Sequence, residues 1–168
     1  VVFGSAYGCH EDDEAYYRDL LRSGAPPTGS PRLFVYTLPS SPAGEISIHF
    51  GLRGPALAVV SGLTSGLGAL GQARRALGRG RAALCLACAA EVATPLLGTL
   101  EGDQVREDSA AALLLGTPEE GGAAPFGLLG PVAEAYRAAD PAAALRAAAA
   151  QVLGAAALAP ERALCDEA

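Results

Sequence analysis

Tryptophan and methionine are missing altogether, and aromatic residues make up only 5% of the 168 positions. A core without large rings must be assembled from Ala, Leu, Val and Gly, which implies close packing of helices and strands. Charged side chains are scarce as well, at 18% against a usual value of about 25%. With so little charge, little surface is free to face water, which favours an oligomer over a monomer. An excess of positive charge is also lacking: the net charge is −6 and the isoelectric point lies near 4.8. Nucleic-acid binding needs a basic patch to neutralise phosphates, so that class of partner is not expected. Arg74, Arg75, Arg79 and Arg81 form one local basic cluster. It reads as a solvated helix end with cations near the C-terminal dipole, or as a docking spot for an acidic partner.

Residues 1–8 lack a basic start followed by a long apolar run, so no secretory leader is expected and a cytoplasmic location is. The longest uncharged stretch, Gly54 to Ala73, has the length of a membrane span. Its Gly and Ser interruptions fit a buried strand, turn and helix better, and no membrane span is expected. The four cysteines, Cys9, Cys85, Cys88 and Cys165, lack the spacing of a small disulfide scaffold, which points to a reducing compartment. Cys85-x-x-Cys88 has the form of half a zinc or redox motif, but no second pair exists. Residues three apart on a strand point to opposite faces. Ordinary buried cysteines are expected, with no metal and no cofactor.

What the chain does contain is an alternation of strand-like and helix-like segments. Val1 to Ala6 reads as a strand, and Glu11 to Arg22, acidic first and basic last, as an amphipathic helix. Ser23 to Pro31 is a Gly/Pro/Ser loop, and Leu33 to Phe50 mixes an extended start with a helix over about 43–50. Strand Ala56–Ser61, helix Gly66–Leu77, strand Ala82–Ala90, a short helix near Pro95–Leu100 and strand Ser109–Leu115 follow. Beyond a loop at Glu119 to Ala124, a strand is expected within Phe126 to Ala135. Asp140-Pro141 then opens an Ala-rich helix reaching about Leu158. The pattern argues α/β with a mixed sheet, in one domain spanning 1–168.

The segment with chemical interest is Val59-Val60-Ser61-Gly62-Leu63-Thr64-Ser65-Gly66-Leu67, a buried strand, a tight turn and a glycine-rich helix. It admits three readings. Gly66-Leu67-Gly68-Ala69-Leu70-Gly71 matches G-x-G-x-x-G, with Glu91 twenty residues beyond Gly71, the pattern of a dinucleotide-binding oxidoreductase. Against it, Ser61 to Ser65 separate the strand from Gly66, which puts the glycines inside the helix rather than at its mouth. Gly62-Leu63-Thr64-Ser65-Gly66 fits G-x-[ST]-x-G with Thr64 as nucleophile. That elbow needs a base later in the chain, and the only histidines, His10 and His49, come earlier.

The third reading rests on likeness. Ser30-Pro31-Arg32-Leu33-Phe34-Val35-Tyr36-Thr37-Leu38-Pro39, together with Gly44-Glu45-Ile46-Ser47-Ile48-His49-Phe50-Gly51-Leu52-Arg53-Gly54-Pro55, resembles the middle of a β-ketoacyl synthase N-terminal domain, chain-length-factor-like branch. Ser61–Leu70 is similar to the family pattern T-A-C-S-S-[SG]-L, and Gly80-Arg81-Ala82-Ala83-Leu84 to the start of its G-x-A-D-x-A-L-x-G-G strand. Ala159-Pro160-Glu161-Arg162 to Asp166-Glu167-Ala168 resembles the segment that runs into the family's first catalytic histidine.

The resemblance implies a thiolase-like half-fold, with a buried central helix after the nucleophile-type turn. In that family a cysteine at the helix mouth takes the acyl chain as a thioester, helped by the helix N-terminus. Leu63 stands at that position here. It has no lone pair to attack with, and it is not the Gln of decarboxylating relatives. The resemblance therefore implies a non-catalytic subunit that pairs with an active ketosynthase as a heterodimer and shapes its acyl tunnel. An acyl carrier protein would be met through that partner, in polyketide- or fatty-acid-type synthesis. Phe34, Tyr36, Leu38, Phe50, Leu63 and Thr64 are the candidate tunnel or interface residues, each of the first four equally readable as core. A decayed synthase fragment is the remaining alternative.

Overall fold

Four short runs of Val, Leu, Ala and Cys build one mixed sheet. The computed structural model describes residues 1–24, 28–101 and 107–117, with isolated positions 129, 132, 146, 147, 149 and 150 beyond them. The chain divides into a unit Val1–Ala123 and a unit Ala124–Ala168, and the elements that follow belong to the first. Strands β1 (Val2–Ser5), β2 (Leu57–Val60), β3 (Leu84–Glu91) and β4 (Ser109–Gly116) lie in the order β2-β1-β3-β4. β1 runs parallel to both β2 and β3, pairing Val2 with Leu57 and with Ala87, while β4 pairs antiparallel with β3. Parallel neighbours need crossover connections rather than hairpins. Helices α1 (His10–Arg22), α2 (Pro31–Tyr36) and α3 (Ser41–His49) fill the first crossover and α4 (Ser65–Gly78) the second.

The period of two along the strands sorts the core into two layers. On one face Val2, Cys85 and Ala87 pack with Ala69 and Ala73 of α4. On the other, Val1 and Cys88 pack with Ala43 of α3, joined by Phe3, Ile46 and Leu86. Cys85 and Cys88 are thus buried on opposite faces of β3, as their spacing implies, and both are free thiols. Small residues make the layers tight. A Cβ at Gly4 would stand 2.6 Å from the Ser65 carbonyl oxygen, so only glycine lets β1 pass under the start of α4. Helix α4 buries Ser65, Gly68, Ala69, Gly71 and Ala73 on its inner face. Helix α5 (Pro95–Glu101) is anchored by Leu97, which has no exposed surface.

Two expectations are corrected. The strand before the turn, expected to be buried, is β2, an edge strand among the described residues, with Leu57 and Val60 exposed and Ala58 and Val59 only partly covered. The start of the Leu33–Phe50 segment is helical, not extended. Ser30 takes the N-cap and accepts a hydrogen bond from the Leu33 amide, and Pro31 supplies the preset φ of a first turn. A capping serine and a proline outweigh the β-favouring Phe34-Val35-Tyr36. The expected loop at Glu119–Ala124 lies outside the described residues, as does most of the strand within Phe126–Ala135. The same holds for most of the Asp140 helix, of which positions 146, 147, 149 and 150 are helical, and for the tail from Ala159.

Candidate functional site

At the carboxyl end of β2 the chain must reverse into α4 within a few residues. Gly62 makes this possible with φ +68°, a value no non-glycine residue of the described chain adopts. Three side-chain hydrogen bonds then lock the turn. The Ser61 amide donates to Ser65 Oγ at 2.8 Å, the Ser65 hydroxyl donates to the Gly62 carbonyl at 2.6 Å, and the Thr64 hydroxyl donates to the Ser61 carbonyl at 3.1 Å. Ser65 is 2% exposed, so this polar knot is inside the protein and satisfied. Leu63 sits at the tip with relaxed backbone and 80% of its surface exposed. Leu67, one helical turn further, is 59% exposed.

The knot decides between the readings. The Thr64 hydroxyl is spent on a backbone carbonyl, and Thr64 itself is the N-cap residue with φ −89°. It is neither strained nor hydrogen-bonded to a histidine. Gly66, Gly68 and Gly71 lie within α4, and the Gly68 amide is bonded to the Thr64 carbonyl at 2.9 Å. Their role is close packing: an added Cβ at Gly66 would already touch Ala89 at 3.4 Å. Glu91 is also engaged. Its Oε2 accepts from the Ala6 amide at 2.7 Å and from the Ser5 hydroxyl at 3.1 Å, tying the ends of β1 and β3 together. The dinucleotide pattern is therefore filled by structural contacts.

The six candidate tunnel or interface residues are not gathered into one patch. Phe34 and Tyr36 lie on α2, 52% and 40% exposed, with the Phe34 ring 5.7 Å from that of Tyr16 on α1. Leu38 follows α2, and its carbonyl accepts the Cys9 thiol at 3.3 Å. Phe50 caps α3 and lines a groove at the amino ends of the strands, whereas Leu63 and Thr64 stand beyond the carboxyl end of β2. None of the first five is buried in this chain.

Two groups near the carboxyl end of the sheet escaped the sequence reading. His10 Nε2 is 2.8 Å from Thr94 Oγ1, while its Nδ1 is buried with no partner among the described residues. Cys9 is held protonated, because burial and then Asp12 and Asp13 push its thiol pKa above 9.0. Burial raises Cys88 in the same direction. No sequence signal marks the His10–Thr94 contact, since it joins residues far apart in the chain. Among the described residues no cluster of His, Cys, Asp and Glu could hold a metal ion, and no helix is long and apolar enough to cross a membrane.

Residues 1–111 match the β-ketoacyl synthase N-terminal domain. Curated relatives include 3-oxoacyl-acyl-carrier-protein synthase 2 of Vibrio cholerae, 37% identical over 98 residues that make up 58% of this chain and 23% of the relative. Among solved structures, the ishigamide ketosynthase/chain length factor aligns with a TM-score of 0.69 at 24% identity, covering 88% of this chain and 44% of that one. A ketosynthase in complex with its chain length factor from Xenorhabdus doucetiae aligns at 0.59 with 21% identity, covering 67% of this chain and 47% of the other. The chain thus spans less than half the length of each. The fold is of the thiolase-like ketosynthase type, a mixed sheet flanked by helices.

Proposed function

The chain belongs to the β-ketoacyl synthase N-terminal domain family, and from that membership we propose that it is a chain-length-factor-like, non-catalytic partner of an active ketosynthase. The observation that carries this reading is Leu63. The turn, the N-terminus of α4 and the hydrogen-bonded knot beneath them all keep the form that would aim a nucleophile, and the side chain at the tip is aliphatic. A methyl-tipped side chain cannot form a thioester, but it can fill space. An 80% exposed leucine at a rigid turn is suited to insertion into a partner. β2 points the same way, since among the described residues it is an edge strand of the sheet, with Leu57 and Val60 both more than 40% exposed.

In this role the chain belongs to one ketosynthase-type domain and works in the cytoplasm. The partner supplies the thiol and the carrier-protein contact, and this chain narrows the acyl tunnel and limits product length in polyketide- or fatty-acid-type synthesis. Phe34, Tyr36, Leu38, Phe50, Leu63 and Thr64 are its candidate wall or interface residues. The test is co-expression with a cysteine-containing ketosynthase. Co-purification, and a shift in product length when Leu63→Ala is introduced, are the expected results. A stable monomer that leaves the synthase's products unchanged would refute the reading.

A further inference from the structure

A second feature lies at the opposite end of the sheet from the turn. The amino ends of β1, β2 and β3 open into a groove of about 830 Å³, with Val2, Leu57, Leu84, Leu86 and Leu114 among its apolar lining. Its polar lining is dominated by Arg53, Arg75, Arg79 and Arg81, and no carboxylate takes part among the described residues. Four lining arginines stand out in a chain of net charge −6, although Arg75 Nε already donates to the Gly71 carbonyl at 3.3 Å. Proximity to the C-terminus of α4 accounts for Arg75 and Arg79. It accounts for Arg81 too, whose amide donates to the Ala76 carbonyl at the end of α4, but not for Arg53, in the segment before β2. Two separate parts of the chain, the segment before β2 and the end of α4, bring cations to one rim, and Arg53, Arg79 and Arg81 form no ion pair among the described residues.

The chemistry selects the ligand. The volume falls in the range of small-molecule sites, about 300–1,000 Å³, and a concave apolar floor asks for a chain or ring to displace its water. The rim asks for an anion with more acceptors than one guanidinium fork can use. A carboxylate is filled by a single bidentate arginine, whereas a phosphate monoester offers three oxygens and up to two charges. We propose that this groove binds an amphiphilic organic phosphate, with its apolar chain on the leucine and valine floor and its phosphate on the arginine rim. Helix α4, about 21 Å long over its 14 residues, separates this site from Leu63. The groove shares Phe50 and Leu57 with the proposed partner surface but not Leu63, so Leu63→Ala separates the two roles.

Octyl phosphate, below its micellar concentration, is titrated calorimetrically into the full chain at fixed salt. Saturable one-site binding is expected, with inorganic phosphate alone and octanol alone each at least roughly tenfold weaker, one lost set of contacts apiece. Arg79→Glu/Arg81→Glu, both exposed positions, should weaken octyl phosphate roughly a hundredfold, about tenfold per lost charge-assisted contact. Leu63→Ala should leave it unchanged, and circular dichroism with melting verifies that the double variant is folded. Equal binding of inorganic phosphate, or equal binding by the folded double variant, overturns the proposal. So does the absence of saturable binding, the result if a polypeptide fills the groove. Binding of an acidic peptide in place of octyl phosphate makes the groove a protein-docking epitope and overturns it too.

Discussion

Leu63 and Ser65 show how two residues two apart can differ in legibility. Leu63 was readable from pattern, because a strand, a turn and a glycine-rich helix mark a position whose usual chemistry is known. Introducing a thiol there tests the geometry directly. In Leu63→Cys the new sulfur would stand exposed before the positive end of α4, which lowers a thiol pKa. It should react with iodoacetamide faster than Cys9, Cys85 or Cys88 by an order of magnitude or so. Labelling no faster than Cys9 would mean that the turn lacks the nucleophile-aiming form. Ser65, in contrast, carries no signal of its own in the sequence. Its Oγ both accepts from Ser61 and donates to Gly62, contacts that exist only once the turn has closed. Ser65→Ala strands a part-buried amide and should cost about 1–3 kcal/mol in denaturant melts. Gly4→Ala, forced against the Ser65 carbonyl, should cost a similar about 1–3 kcal/mol through overpacking. Two thiols, partly buried Cys9 and buried Cys88, carry a pH signature. Cys9 and Cys88 have folded pKa values raised above 9.0, so they hold protons more tightly folded than unfolded. Their contribution is complete below the unfolded value and is lost as pH rises through the higher folded values. Denaturation midpoints should therefore fall from about pH 8.5 upward, and Cys88→Ala should flatten that fall.

At the scale of elements, hydrophobic period located the strands and α4 because short apolar runs and glycine-spaced helices differ in repeat length. It failed for α2, where Phe34-Val35-Tyr36 carry strand propensity and the decision belongs to Ser30 and Pro31 at the helix start. The pattern also could not say which strand lies at an edge, since sheet order is a property of the assembled layers. That order puts β2 outermost, with Leu57 and Val60 exposed beside the turn that carries Leu63. Edge strands of free monomers are usually guarded by charge or proline, and Leu57-Ala58-Val59-Val60 has neither. Leu57 and Val60 are 43% and 46% exposed, so the double variant Leu57→Lys/Val60→Lys should keep its circular dichroism, with its own melting temperature as the reference. It should lose the ketosynthase on affinity purification. Retention of the partner by the folded variant would place the interface away from β2.

For the whole molecule, scarcity of charge and an exposed apolar edge are two views of one property. Composition announced the shortage, and the structure places part of it along β2, the turn and the outer face of α4, where Leu57, Val60, Leu63 and Leu67 all face outward. What composition could not supply was the location, because burial depends on which segments meet. A surface of that kind is costly in water, at about 25 cal/mol per Å² of apolar area. A partner that covers it must therefore stabilise the fold by mass action. At a free partner concentration one hundred times its dissociation constant, the gain is about 2.7 kcal/mol. The melting temperature of this chain should accordingly climb with the concentration of a cysteine-containing ketosynthase, and the climb should shrink in Leu57→Lys/Val60→Lys. NAD or NADP should produce no shift, because Glu91 and the Gly68 amide already have partners within the fold. Stabilisation by a dinucleotide with none by the synthase would reverse the assignment, since the ligand that raises the melting temperature is the one that binds the folded state.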